Sequence, residues 1–396
     1  MRTSSTDEGV PVMPRRPLLL LLASASALMA MLLGAGSAAP SWSAPKPSRA
    51  TAIAQSVSVQ VLPQLAATGT APEPASAAMS AITATFSPVA PGRRADLELL
   101  DGKRWVAFAI ASQDASGRVL FTIPYAWRGL PATYRVMARS SAELPEVTSA
   151  RVRTDAWGTP ILSDEFSGSA LTAPWDHRVQ GYEVPSRRCS KTDPRGTAVG
   201  GGVLSLSVID DPDRDDPCTF TNNQGVKQST FYRLNGHVGT QGRFSYKYGV
   251  TAARIRFQDL RGQHGAFWMQ APVVESGAEI DVIEWFGTGS SGLSSGVWTY
   301  SGGTQTKVAE TPPGDDALYG SDWAGTYHVF SVEWTPTEYV FRIDGKEVLR
   351  TTAGVSQTEE YLILSLLVSN FESLRVTSPD QLPQTLAVDW VRVWQR

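Results

Sequence analysis

Three acidic side chains fall within six residues near the middle of the chain, in the run Glu279-Ile280-Asp281-Val282-Ile283-Glu284. Carboxylates are costly to bury or to crowd, so a segment otherwise built of Ile and Val needs a reason to carry three of them. A polar edge strand or a calcium site would supply one. Glycosidic bond cleavage supplies another. It needs two carboxyl groups across the bond, one ionised to attack the anomeric carbon and one protonated to assist the leaving oxygen. Crowding serves that division of labour, because neighbouring negative charge raises a carboxyl pKa and lets the cluster keep one proton near neutrality.

The acids must share a face to act together. In a strand Glu279 and Asp281 do, whereas Glu284 has the wrong parity. A β-bulge between Asp281 and Glu284 restores the common face and leaves Ile280 with Val282 or Ile283 for the core. The outer pair must then approach to about 5–5.5 Å for a retaining enzyme. The surrounding sequence supports such a strand, because helical periodicity is almost absent. Strands are expected at 202–208, 244–250, 252–257, 265–270, 279–285, 296–300, 328–335, 339–343, 361–368 and 386–394, with Asp344-Gly345 as a hairpin turn. Their number in this length predicts a large two-sheet sandwich. Upstream, six shorter alternating runs between Ile82 and Val152, separated by turns such as Pro91-Gly92 and Ser116-Gly117, predict a small β-sandwich. The fold class is therefore all-β.

The 396-residue length accommodates two domains and a leader, and a net charge of −3 argues against nucleic acid as the main partner. Twelve Trp residues exceed what a core alone requires, and flat aromatic faces stack on sugar rings. Arg15-Arg16, the apolar stretch from Leu18 to Leu33 and Ser37-Ala38-Ala39 read as a signal peptide over 1–39, with Met13 as an alternative start. Secretion follows, or a membrane anchor if the signal stays uncleaved; no stable membrane insertion is expected after cleavage. Residues 40–78, rich in Ala, Ser and Pro, are expected to be a disordered linker, with the alternating patch Val57–Val61 as a candidate strand within it. Cys189 and Cys218 are the only cysteines. Export permits a disulfide between them, worth about 3 kcal/mol, with two free thiols as the alternative.

The run from Gly277 to Trp285 resembles the bulged signature of glycoside hydrolase family 16, as found in laminarinase-type β-glucanases. Other segments resemble the family in the same order: Leu162–Phe166 with Trp175, Tyr248-Gly249 through Ile255, Ala266-Phe267-Trp268, His328–Trp334, and Val388–Val393. The resemblance implies a β-jelly roll, a concanavalin-like two-sheet sandwich, over 160–396. The loosely immunoglobulin- or fibronectin-like module would occupy 79–155. By position it makes Glu279 the nucleophile, Asp281 its modulator and Glu284 the general acid/base. Trp268 would stack on sugar, His328 would hydrogen-bond substrate or the acid cluster or else be satisfied within the sandwich, Arg254 would be a structural or a substrate-contacting cation, and Trp285 and Trp298 would widen the aromatic platform or else belong to the core. Some members of the family bind calcium on the convex face at positions like Glu165 and Asp389, so a structural Ca2+ is expected there, and no cofactor for catalysis. The partner is a polysaccharide and the chain a monomer. Two departures, His264-Gly265-Ala266 before the Phe-Trp pair and Ser365 with Val368-Ser369-Asn370 in the penultimate strand, bear on the substrate. A non-catalytic glycan-binding sandwich and a transglycosylase are the alternatives.

Overall fold

The computed structural model describes residues 54–141, 143–289, 292–312 and 320–396. The expected signal segment and the first part of the expected linker lie outside them. Ala52–Arg396 form one compact unit. Apart from short 3-10 turns, its regular elements among the described residues are strands.

The C-terminal part is a jelly roll of two layers. In the layer that carries the acids the strands run in the order Thr304–Glu310, Leu293–Ser301, Ala278–Trp285, His264–Gln270, Tyr361–Leu367 and Arg233–Gly239. The second layer holds Val203–Asp210, Gln384–Trp394, Gly249–Arg256, His328–Trp334, Tyr339–Ile343 and Lys346–Thr351. Strand Arg233–Gly239 links the two, since Arg233–Asn235 pair with Val208–Asp210 while Gly236–Gly239 pair with Ile363–Leu366. Both inner faces are apolar, and Leu206, Phe267, Ile280, Val332, Leu364 and Val388 form part of the shared core. This is the alternation of two sheets packed face to face.

Expected strands mostly stand where the sequence placed them. The exception is 244–250. Strand structure begins only at Gly249 and runs unbroken to Arg256, because the chain bends at Tyr248 (φ 64°) and Gly249 (φ 135°). A Cβ at Gly249 would strike the Trp394 carbonyl, so glycine permits the strand's entry.

The expectation of a linker through residue 78 is corrected from Ser56 onward. Ser56–Ala66 is a strand paired antiparallel with Met79–Ser87, which pairs in turn with Arg118–Ile123. A second sheet holds Val152–Arg153, Thr133–Ala138, Arg94–Asp101 and Arg104–Ser112. Core residues between these sheets include Ile82, Leu97, Phe121 and Val136. Strand Ser56–Ala66 starts half-buried and ends wholly buried, because its second half leaves this core. Leu62 and Leu65 pack with Trp157 and with Val250, Val329, Trp390 and Trp394 of the jelly roll's second layer.

Cys189 and Cys218 are bonded, with Cα atoms 5.7 Å apart. The bridge ties the hairpin Cys218–Thr221/Lys227–Thr230 to the segment leading into Ser190–Thr192.

Candidate active site

The acid strand Ala278–Trp285 lies between Leu293–Ser301 and His264–Gln270. Its register slips between Asp281 and Glu284 on one side, and on the other Trp268 opposes Asp281 while Phe267 opposes Ile283. The bulge is therefore at Val282. Both Val282 and Ile283 turn into the core, and Glu279, Asp281 and Glu284 all line one cavity of about 260 Å3. Arg187, His264, Trp268, Tyr300, Gln305 and Ser365 line it with them.

The three carboxyls sit in different hydrogen-bond environments. Glu279 accepts from the Tyr300 hydroxyl and, at 3.1 Å, from Gln305 Nε2. Gln305 Nε2 also reaches Tyr300 Oη at 2.9 Å. Asp281 accepts from Trp298 Nε1 at 2.9 Å. No described residue donates a hydrogen bond to Glu284. Burial pushes all three carboxyls above their ordinary values, Asp281 furthest, with Glu284 and Glu279 adding repulsion there. Hydrogen bonds from Tyr300 and Gln305 oppose the rise at Glu279, so they favour its ionised form. Burial and the Glu279 carboxylate raise the Tyr300 hydroxyl well above its ordinary value, so Tyr300 stays a donor. Glu284 has only burial, Glu279 and Glu372 raising it, against His264 and Lys307 lowering it. The arrangement can hold Glu279 as an anion beside a protonated Glu284.

The walls are organised in turn. His264 Nδ1 meets Glu372 Oε2 at 2.7 Å, and its other ring nitrogen lies 3.4 Å from Arg187 Nη2. Trp268 donates to Ser365 Oγ at 3.1 Å, which keeps its ring along the cavity. Lys307 lies 4.5 Å from the Trp298 ring.

Several expected contacts lie elsewhere. His328 stands in the second layer, 2.7 Å from Asp344 Oδ2 and against the Trp323 ring; it does not line the acid cavity. Trp285 is a core residue whose Nε1 donates to the Gln258 carbonyl at 2.9 Å. Arg254 is wholly buried in the second layer, where it donates to the carbonyls of Ala67 and Ala71 and to Asp389. Trp268 lines the acid cavity, and Trp298 meets it through its bond to Asp281. The sequence reading missed Tyr300, Gln305 and Arg187. The first two come from the hairpin that follows the acid strand, and strand pairing alone signals them.

Glu165 and Asp389 do not fit a calcium site in this arrangement. Asp389 Oδ2 accepts from Arg254 and, at 3.0 Å, from the Glu73 backbone N–H. Glu165 accepts from Arg392 at 3.0 Å and from the Ala75 N–H at 3.1 Å. Guanidinium groups already supply these carboxylates with the positive charge that a bound calcium would bring.

A two-layer jelly roll with a bulged carboxylate strand facing an open cavity is the build of a glycoside hydrolase. Residues 212–391, a little under half of the chain, match the model of the Glycosyl hydrolases family 16. The chain is 26% identical over 269 residues to Glucan endo-1,3-beta-glucosidase A1 of Niallia circulans, a match covering 59% of this chain and 37% of that protein. It is 25% identical over 269 residues to the Beta-glucanase of Rhodothermus marinus, covering 59% of this chain and 84% of the relative. Among solved structures, the endo-beta-1,3-glucanase from Pyrococcus furiosus is similar at 22% identity with a TM-score of 0.47, over 60% of this chain and 94% of that one. No helix of the described residues is long and apolar enough to cross a membrane.

Proposed function

We propose that this chain is a secreted, retaining endo-glycosidase that hydrolyses β-linked glucan, with β-1,3- or mixed β-1,3/1,4-linkages as its substrate. The observation that carries the reading is the unequal treatment of two carboxyls in one cavity. Glu279 receives two donors, and Glu284 receives none from the described residues. Glu279 attacks the anomeric carbon while Glu284 gives its proton to the departing oxygen. A glycosyl ester forms on Glu279. Glu284, now ionised, takes a proton from water, which cleaves the ester with a second inversion and so returns the original configuration. Asp281 sits between them with Trp298 as its donor, and its high proton affinity steadies the charge as the proton moves. Trp268 offers the ring face on which the sugar stacks. The relatives' names, both glucan-cleaving, support glucan as substrate. Export rests on the Leu18–Leu33 stretch behind Arg15-Arg16.

Glu279→Gln and Glu284→Gln should each abolish release of reducing ends from laminarin while oligosaccharide binding persists. NMR of the first product should show the β-anomer. Full activity in either variant, or an α-anomer appearing first, would sink the assignment.

A further inference from the structure

A second polar cavity, of about 320 Å3, lies three strands along the same layer from the acid strand, lined by Asp176, Arg178, His237, Gly239 and Gln241 among others. Trp268 connects the two. It lines the acid cavity, and the His237 ring stacks on it at 6.3 Å and 20°. His237 is 2% exposed, and neither ring nitrogen has a hydrogen-bond partner among the described residues. Buried polar groups are normally paired, and an unpaired one is costly. A group left unpaired at a cavity wall marks a place where a ligand completes the bonding.

Arg178 is the second unspent group. Its Nη1 donates to Tyr361 Oη at 2.9 Å and Gln241 Oε1 at 3.1 Å, while Nε is buried without a partner. The guanidinium lies 5.2 Å from the Tyr361 ring and 5.8 Å from the Trp268 ring. No carboxylate of the described residues pairs with it. Asp176, the acid in the cavity, is bound to Arg243 at 2.9 Å. Gly239 leaves room for the arrangement, since a Cβ there would come within 2.9 Å of the Arg178 side chain.

We propose that this cavity is a sugar subsite for a ring bearing a carboxylate, with Arg178 receiving the anion and His237 a ring hydroxyl. The substrate class is then a β-glucan containing uronic acid units, which deepens the proposed function and rests on it for the chain's polysaccharide nature. Neutral hydroxyls would be served by Gln241 and His237. A planar guanidinium without a counter-ion, held between aromatic faces, matches a carboxylate with paired N–H groups. His237 suits the neighbouring hydroxyl because burial, with Arg178 and Arg187 nearby, pushes it well below the ordinary histidine value. As a neutral ring it offers one donor and one acceptor.

The test is calorimetry on the full chain carrying Glu279→Gln. The ligands are a β-1,3-glucan tetrasaccharide and the same tetrasaccharide with its C6 hydroxymethyl groups oxidised to carboxylates. The oxidised ligand should bind about tenfold more tightly, as expected for one charge-assisted pair, and added salt should shrink the difference. Adding Arg178→Gln should erase the preference, and Arg178→Lys should keep part of it. Equal binding of both ligands, or an equal loss for both on Arg178→Gln, overturns the inference. Laminarin cleavage by the unaltered chain with no carboxylate preference removes this subsite and leaves the hydrolase reading. Preference without cleavage of either polymer does the reverse.

Discussion

In the proposed mechanism Tyr300 favours the charge on Glu279. It and Gln305 hydrogen-bond Glu279, whereas no described residue donates to the Glu284 carboxyl. Tyr300→Phe therefore raises the Glu279 pKa. Because the attacking group must be ionised, the acid limb of the pH–rate profile moves to higher pH. The alkaline limb, which the proposed mechanism assigns to proton loss from Glu284, should move little. Turnover of laminarin should fall about 10- to 100-fold at the optimum, in line with loss of one charge-assisted hydrogen bond. A pH profile whose acid limb stays in place would show that Tyr300 only packs. The acids themselves were readable from the sequence because a strand's period of two and one bulge dictate their common face. Tyr300 was not. It lies 21 residues from Glu279 and joins it only through the register in which Glu279 opposes Trp298, which side-chain pattern alone does not give.

At the scale of the element, the acid strand is anchored at its start by Glu360, whose Oε1 accepts the Ala278 N–H at 3.1 Å. Glu360 is fully buried, and burial raises its carboxyl from 4.5 to about 7. Below pH 4.5 both folded and unfolded chains hold this proton. Between 4.5 and about 7 the unfolded chain releases it while the folded chain keeps it, so stability falls as pH rises and the loss is complete above the folded value. The span corresponds to roughly 3 kcal/mol. Glu360→Gln retains the acceptor and removes the titration. Its melting temperature should exceed that of the parent at pH 8 and match it at pH 4, and a gap independent of pH would exclude this account. Most strands were readable for the same reason as this one, being apolar runs bounded by turn residues. Arg233–Gly239 was not expected, because Asn235, Gly236 and Gly239 are poor strand formers. Tertiary context holds it all the same, with every residue of it buried between two layers.

At the scale of the molecule, the segment read as a flexible tether is a docking strap. Its composition, rich in Ala, Pro and Thr, resembles a linker, yet its small residues let the backbone lie close on the jelly roll. Trp157 Nε1 donates to the Val61 carbonyl at 2.9 Å, Arg392 to Gln64 Oε1 at 2.7 Å, and the Tyr327 N–H to the Gly69 carbonyl at 2.8 Å. Arg254 and the Glu73 N–H close on Asp389. Because guanidinium groups hold those carboxylates, chelators and added calcium should leave the melting temperature of the full chain unchanged. Cutting the strap is another matter. Leu62 and Leu65 are wholly buried, each worth about 2–3 kcal/mol by area removed from water, and Trp390 and Trp394 lie beneath them in the same cluster. A chain of residues 160–396 alone exposes that apolar face and leaves Arg254 and Asp389 without their backbone partners. It should melt well below the full chain or aggregate. In the full chain, Leu62→Ala with Leu65→Ala should lower the melting temperature without altering laminarin turnover at 25 °C, since neither residue approaches the acid cavity. An isolated domain as stable as the full chain would mean that the module is carried as a passenger and not built into the fold.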